Sequence, residues 1–333
     1  MPQPPVPPVC VWSGDDARRL LRVPDPDADK RRRGVVALRA GSDAFPGAAV
    51  LGVEGAWRAG AGYVHYVGPR RAADLVLARR PETVATGPDS GSVRADAWVI
   101  GSGTDATSRT AGETAALRLL LSGADPVVVD AGALDLLPAT APVIATPHER
   151  EFVRLRAALG LSTLAEEVLR DAPRRAGVVQ ETADALGATV LLKGATTLIA
   201  AAGAGTVLAV SAGTPWLATA GTGDVLAGVI GALVAADRAA AAPTPLAELA
   251  ATAAWLHGVA GRIAAGVGAG AEGRPIVALD VAAALPAAFA RTRAGDVGLS
   301  ENDGLAANDD RAENDGLAQR GNDDDDQIQE VPE

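Results

Sequence analysis

The sequence predicts an α/β fold: a central, mostly parallel sheet with helices on both faces. Three observations predict it. From Gly34 onward, short runs of Val, Ile and Leu alternate with helix-length segments, the pattern of successive βαβ units. Most of those runs are apolar throughout, as strands covered on both faces are. Glycine-rich or hydroxyl-bearing loops follow several of them, and in such sheets ligands bind beyond the carboxyl ends of the strands.

In chain order, residues 1–29 are proline-rich and charged, and read as an extended arm leading into Lys30-Arg-Arg-Arg33. The start lacks the basic and apolar regions of a signal peptide. Val35–Leu38 reads as a short buried strand and Ala48–Ala59 as a helix. Tyr63–Val67, Ala97–Ile100 and Val127–Asp130 read as further strands, with a helix over Thr110–Leu121. Val143–Thr146 leads into a helix over Glu149–Leu159. Thr189–Leu192 is a strand, and Thr197–Ala200 with Val207–Val210 a hairpin around Gly203 and Gly205. Helices follow at Asp224–Ala236, Leu246–Ala265 and about Leu279–Ala290, so one domain is expected over residues 30–291.

From 292 to 333 the character changes. Glu301-Asn-Asp-Gly-Leu-Ala306 recurs at 313–318, and the run Asp323–Asp326 follows. Too little apolar surface is available there to offset ordering entropy, so a disordered acidic tail is expected.

Of 333 residues, 30 are Lys or Arg and 41 Asp or Glu, a net charge of −11. Thirteen acidic and three basic residues fall at 292–333, which leaves 27 basic against 28 acidic in residues 1–291. The body is thus nearly neutral, and the charge describes the tail. A nucleic-acid partner is not expected. The longest apolar run, Val225–Ala236, is far short of the roughly 20 residues a membrane span needs. The single cysteine, Cys10, excludes an intramolecular disulfide and fits a cytoplasmic location.

Three segments carry chemistry. In Gly213-Thr-Pro-Trp-Leu-Ala-Thr-Ala-Gly-Thr-Gly-Asp-Val-Leu-Ala-Gly228, small residues run up to Gly221-Thr222-Gly223-Asp224 and a helix begins at once. Glycines allow close approach of a ligand, and the first amides of the helix form an anion hole for a phosphate. A carboxylate beside a phosphate is repelled unless it has a task, and the task open to Asp224 is general base. An isolated Gly-x-Gly-Asp is also an ordinary capped turn. In Val190-Leu-Leu-Lys-Gly-Ala-Thr-Thr197, Lys193 stands where a buried strand runs out, able to meet a phosphate as a point charge. It is one of only two lysines, the other being Lys30. In Ala145-Thr-Pro-His-Glu-Arg-Glu-Phe152, His148 lies in a strand–helix loop, whereas His65 and His257 sit inside a strand and a helix and read as structural. No zinc motif occurs, and the loop after the first strand lacks the glycine spacing of a dinucleotide-binding dehydrogenase.

Together these segments resemble the ADP-dependent (S)-NAD(P)H-hydrate dehydratases of the ribokinase-like superfamily. The matching blocks are Pro46–Ala49 with Ala56–Gly62, Asp130–Leu134, Thr146–Phe152, Leu192–Thr197 and Ala218–Gly228. The resemblance implies a ribokinase-like fold and repair of hydrated nicotinamide cofactors. ADP (ATP in some relatives) phosphorylates the ring hydroxyl, and expulsion of the phosphate restores NADH or NADPH. It implies Asp224 as the catalytic residue and a substrate contact, with Ala48, Gly103 and His148 as further substrate contacts. Lys193, Gly194, Ala195, Thr196, Thr197 and Gly223 would bind the nucleotide, and Gly221, Thr222 and Gly223 form the anion hole. It also implies Mg²⁺, with ligands left unassigned, and a homo-oligomer, often a tetramer. The family's Gly-Pro-Gly-Leu-Gly is here Gly101-Ser-Gly-Thr-Asp105, its Gly-Gly-Ser is Arg39-Ala-Gly-Ser42 in part, and Arg150 replaces a usual glycine. The alternatives are a small-molecule kinase, such as a hydroxymethylpyrimidine kinase, and a non-catalytic nucleotide sensor.

Overall fold

The computed structural model describes residues 6–90, 93–162, 164, 166–241, 243–268 and 271–296. Most of the expected acidic tail, from residue 297 on, lies outside the described residues.

The N-terminal segment is not the extended arm that its prolines suggest. A strand, β1 (Val9–Val11), is followed by a helix, α1 (Gly14–Leu20). Ser13 starts the helix by accepting the Asp16 amide at 3.2 Å, while the Asp16 carboxylate accepts the Ser13 amide at 2.8 Å, a capping box that satisfies both donors. The first run of prolines ends at Pro8; beyond it Val9-Cys-Val-Trp12 is β-prone, and Trp12, Ala17 and Leu21 are buried anchors.

The body begins with β2 (Val35–Arg39), α2 (Gly47–Arg58), β3 (Tyr63–Val67), α3 (Arg70–Arg79) and β4 (Val84–Thr86). Next come β5 (Ala97–Ile100), α4 (Ala111–Leu121), β6 (Val127–Val129) and β7 (Val143–Ala145). Three helices follow, α5 (Glu149–Ala158), α6 (Glu166–Arg170) and α7 (Ala172–Leu186), then β8 (Thr189–Leu192), β9 (Thr197–Ala201) and β10 (Val207–Val210). The last are α8 (Thr222–Ala239), α9 (Leu246–Ala265) and α10 (Ala278–Ala294).

The described strands form one sheet in the order β1-β10-β9-β8-β7-β6-β5-β2-β3-β4. Only β9 runs antiparallel to its neighbours, β8 and β10; the mostly parallel sheet and the β9–β10 hairpin are as expected. Side chains alternate between the faces, as a strand's period of two requires. Val36 and Val99 meet Gly231 of α8, whereas Ala37, Trp98 and Ile100 pack with Leu117 and Leu121 of α4. Farther along, Val190, Leu192, Leu198 and Ala200 share a core with Phe152 and Leu155 of α5 and Val179 and Ala183 of α7. The opposite face is covered by α8 over β2, β5 and β6, and by α9 over β8, β9 and β10.

The α2–α8 crossing is backbone on backbone. A Cβ at Gly228 would lie 2.1 Å from the Gly52 carbonyl, and one at Gly55 would lie 2.3 Å from that of Val225. Only glycine permits this approach, and it fixes where α8 begins. At the other end, α10 runs through Ala294 and buries Thr292, so the body extends past the expected boundary at 291. Among the described residues no helix is long and apolar enough to cross a membrane.

Candidate active site

The carboxyl ends of four parallel strands supply the site. β5 ends at Ile100, and Gly101 follows with φ 97°, a conformation that suits glycine. A Cβ at Gly101 would lie 2.1 Å from the Asp130 carbonyl, so this loop presses against the end of β6. Ser102, 1% exposed, donates its hydroxyl to Asp130 Oδ2 at 2.9 Å. Thr146, just past β7, donates to Asp130 Oδ1 at 2.8 Å. Lys193, just past β8, places Nζ 2.8 Å from the same oxygen. Asp130 is 3% exposed and engaged at both oxygens.

Lys193 was expected to stand free to meet a phosphate. Instead its ammonium is ion-paired with Asp130 and lies 3.9 Å from Glu151 Oε2. Burial pulls its pKa down, but Asp130, Glu151 and Asp224 outweigh that and hold it above the ordinary lysine value. An ideal Cβ on Gly223 would sit 3.4 Å from Nζ, which puts the charge against the first turn of α8.

Helix α8 opens at Gly221, φ 88°, with no side-chain cap. Its first amides are therefore left for an anion, with the helix dipole in their favour. The Thr222 hydroxyl bonds the Leu217 and Thr219 carbonyls, each at 3.0 Å, so Thr222 can contribute its backbone to an anion hole but not its side chain. Asp224, in the same turn, has its pKa pushed up to about 6. Burial is the largest cause and the Asp130 charge adds to it, against Lys193 and Ser102. Such a carboxylate is ionised at neutral pH yet has real proton affinity, which is what a general base needs.

The remaining expected residues sit around this cluster. Ala48, in the first turn of α2, meets the Gly101–Gly103 loop: a Cβ on Gly103, φ 66°, would lie 2.4 Å from that of Ala48. His148 caps α5, its Nδ1 accepting the amides of Arg150 at 3.1 Å and Glu151 at 3.3 Å while Glu151 accepts the His148 amide at 2.8 Å. Its ring is half exposed and Nε2 carries the proton when the imidazole is neutral. In the 194–197 loop both threonine hydroxyls are engaged, Thr196 with Ser211 at 2.9 Å and Thr197 with the Gly194 carbonyl at 3.4 Å. His65 bonds Thr86 at 2.9 Å. Buried His257 has its pKa lowered by desolvation to about 4 and is neutral.

Sequence reasoning did not single out Ser102, Asp130, Glu151 or Arg175 as site residues. Arg175 of α7 donates to the Thr196 carbonyl at 3.0 Å, and burial lowers its pKa against Glu149. The available signal was Asp130, an acid ending a wholly apolar strand; Arg175 gave none, because α7 itself was not foreseen. A separate groove of about 250 Å³, lined by Arg22, Arg33, Arg58, Leu233 and Phe289 among others, holds none of these residues.

The fold is that of the ribokinase-like superfamily. A member from Enterococcus faecalis superposes with TM-score 0.70 at 25% identity, covering 85% of this chain and 96% of that one. The family model described as NAD(P)H-hydrate dehydratase matches residues 36–270, and the chain belongs to that family. The bifunctional NAD(P)H-hydrate repair enzyme Nnr of Mycobacterium tuberculosis is 40% identical over 236 residues, 68% of this chain and 46% of the relative. The chain thus spans about half the length of that curated relative. The ADP-dependent (S)-NAD(P)H-hydrate dehydratase of Neisseria meningitidis is 35% identical over 252 residues, 68% of this chain and 81% of the relative. The Bacillus subtilis ADP/ATP-dependent NAD(P)H-hydrate dehydratase co-crystallised with ATP/Mg²⁺ superposes with TM-score 0.71 at 28% identity, covering 86% and 99% of the two chains.

Proposed function

We propose that this chain dehydrates (S)-NADHX and (S)-NADPHX to NADH and NADPH at the expense of ADP, giving AMP and phosphate. The observation that carries the reading is Asp224, a carboxylate with its pKa raised to about 6, in the first turn of a helix with no side-chain cap, in a chain of this family. Asp224 takes the proton of the substrate hydroxyl as that oxygen attacks the terminal phosphorus of ADP, and AMP departs. The ring nitrogen then expels the phosphate from the adjacent carbon, and loss of a proton from the next carbon restores the double bond.

The amides of Gly221, Thr222 and Gly223 receive the phosphoryl group in transfer. Lys193, Gly194, Ala195, Thr196, Thr197 and Gly223 line the nucleotide's place, with Lys193 acting by charge because its ammonium is committed to Asp130. Ala48, Gly103, His148 and Asp224 face the hydrated cofactor. Among the described residues no group of three or more His, Cys, Asp or Glu could hold a metal ion. Magnesium is accordingly read as arriving on the nucleotide's phosphates, whose charge it neutralises when bound, and no step is assigned to it. The acting form is read as a cytoplasmic homo-oligomer, a tetramer in the family's manner, which light scattering tests directly.

Purified protein is incubated with NADHX, ADP and Mg²⁺ while the absorbance of the reduced nicotinamide is followed. Recovery of NADH with release of AMP is expected. No recovery with either ADP or ATP overturns the reading, and a stable phosphorylated product would mark a small-molecule kinase instead.

A further inference from the structure

Asp130 is held at both of its carboxylate oxygens. Its two oxygens are occupied by Lys193 Nζ at 2.8 Å, Thr146 Oγ1 at 2.8 Å and Ser102 Oγ at 2.9 Å, and the side chain is almost wholly enclosed. Those partners come from the ends of three different strands, so the carboxylate ties β5, β7 and β8 together at its own strand's end. Lys193 in turn lies against the first turn of α8 at Gly223, one residue from Asp224.

We propose that Asp130 is a positioning residue: acting through Lys193, it fixes the ammonium beside Asp224 and so sets the charge that the base faces. This rests on the reading of Asp224 as the base. The groups facing Asp224 can be named element by element. Asp130 comes from the end of β6, Ser102 from the loop after β5 and Lys193 from the end of β8. Glu151 of α5 stands behind Lys193, and His257 of α9, beside Thr222, is neutral. Beside Gly221 lie Leu51 of α2 and Ala278 of α10.

Asp130 and Lys193 act on the base in opposite senses. A second carboxylate disfavours ionisation of Asp224, whereas an ammonium against the same helix turn favours it. Asp130→Asn removes the like charge and keeps the shape, so the acid limb of the kcat–pH profile should move to lower pH by about one unit. Lys193→Met removes the ammonium and should move the same limb to higher pH. In Asp130→Asn the plateau kcat should also fall by more than KM changes, because the ammonium loses its anchor.

A ¹³C-carboxyl NMR titration of Asp224, assigned with Asp224→Asn, reads the same shifts without turnover. The inference therefore remains decidable even if the protein fails to dehydrate NADHX. Opposite displacements in the two variants support it. Displacements in the same direction, or none, in folded protein overturn it. Should Asp130→Asn not fold, Lys193→Met decides alone, and an unmoved Asp224 titration in that variant overturns the proposal.

Discussion

Glu54 on α2 and Asp224 on α8 lie on helices that cross, and their surroundings treat them in opposite ways. Glu54 is 1% exposed and meets Arg79 at 2.5 Å, Arg80 at 2.6 Å and Arg58 at 3.6 Å. Burial pushes its pKa up, but Arg80 and Arg79 overcome that and hold it below the ordinary value. For Asp224 burial is likewise the largest cause, but here the pKa rises, to about 6. It faces one ammonium that Asp130 and Glu151 already share. Burial alone therefore does not make a carboxylate reactive; negative charge left under-compensated does.

The largest effect should come from breaking the compensated site. Glu54→Ala takes away the carboxylate that Arg79 and Arg80 share, leaving Arg80 only Glu82 at 3.5 Å, and should cost about 3 kcal/mol, the low end for a broken buried pair because Arg79 is half exposed. Urea denaturation measures it, and a loss below about 1 kcal/mol would remove the contrast between the two carboxylates.

Next is Asp224→Asn, which should lower turnover by at least ~10²-fold while nucleotide affinity holds. Near-normal turnover would take Asp224 out of the mechanism. The same substitution relieves the cost of keeping a charge in that turn, so at neutral pH the variant should be more stable by up to about 3 kcal/mol.

Stability against pH then separates the two sites by sign. The folded pKa of Asp224 is raised from 3.8 to about 6. Its favourable contribution is complete below 3.8 and disappears as pH rises through about 6. Glu54 is depressed below 4.5, so its contribution is present above 4.5 and disappears as pH falls through the folded value. Differential scanning calorimetry of the two variants against wild type should give difference curves of opposite slope, that of Asp224→Asn between pH 3.8 and about 6 and that of Glu54→Ala below pH 4.5. The smallest effect is expected from ending the chain after Asp296, beyond the α10 C-cap at Gly295. Turnover should not change measurably, and a large loss would give the acidic segment a role in the reaction.

Much of this was legible in the sequence because the central strands are unmixed apolar runs. Ala97–Ile100 and Thr189–Leu192 have the bounds expected, as does the α9 helix. What escaped has physical reasons. β1 is three residues long with every side chain exposed, so its apolar pattern carries no period. In α7, Pro173 and Gly177 look like breakers, but a proline in the first turn removes an amide the helix does not use. At the site, Asp224 and the glycines were readable from local order, because a helix start is a local event. The partnership of Asp130, Ser102 and Lys193 was not, since residues 28 and 63 positions away from Asp130 meet only when the strands are side by side.

The pairing of β1 with β10 has a consequence for how the chain is made. Residues 9–11 find their partners at 207–209, so β1 has no place to bind until about two hundred further residues have left the ribosome. At ~5–20 residues per second that is a wait on the order of 10–40 s. Through that time Trp12 and the apolar side of α1 must remain uncovered, and the sheet closes at this edge only once β10 has been made.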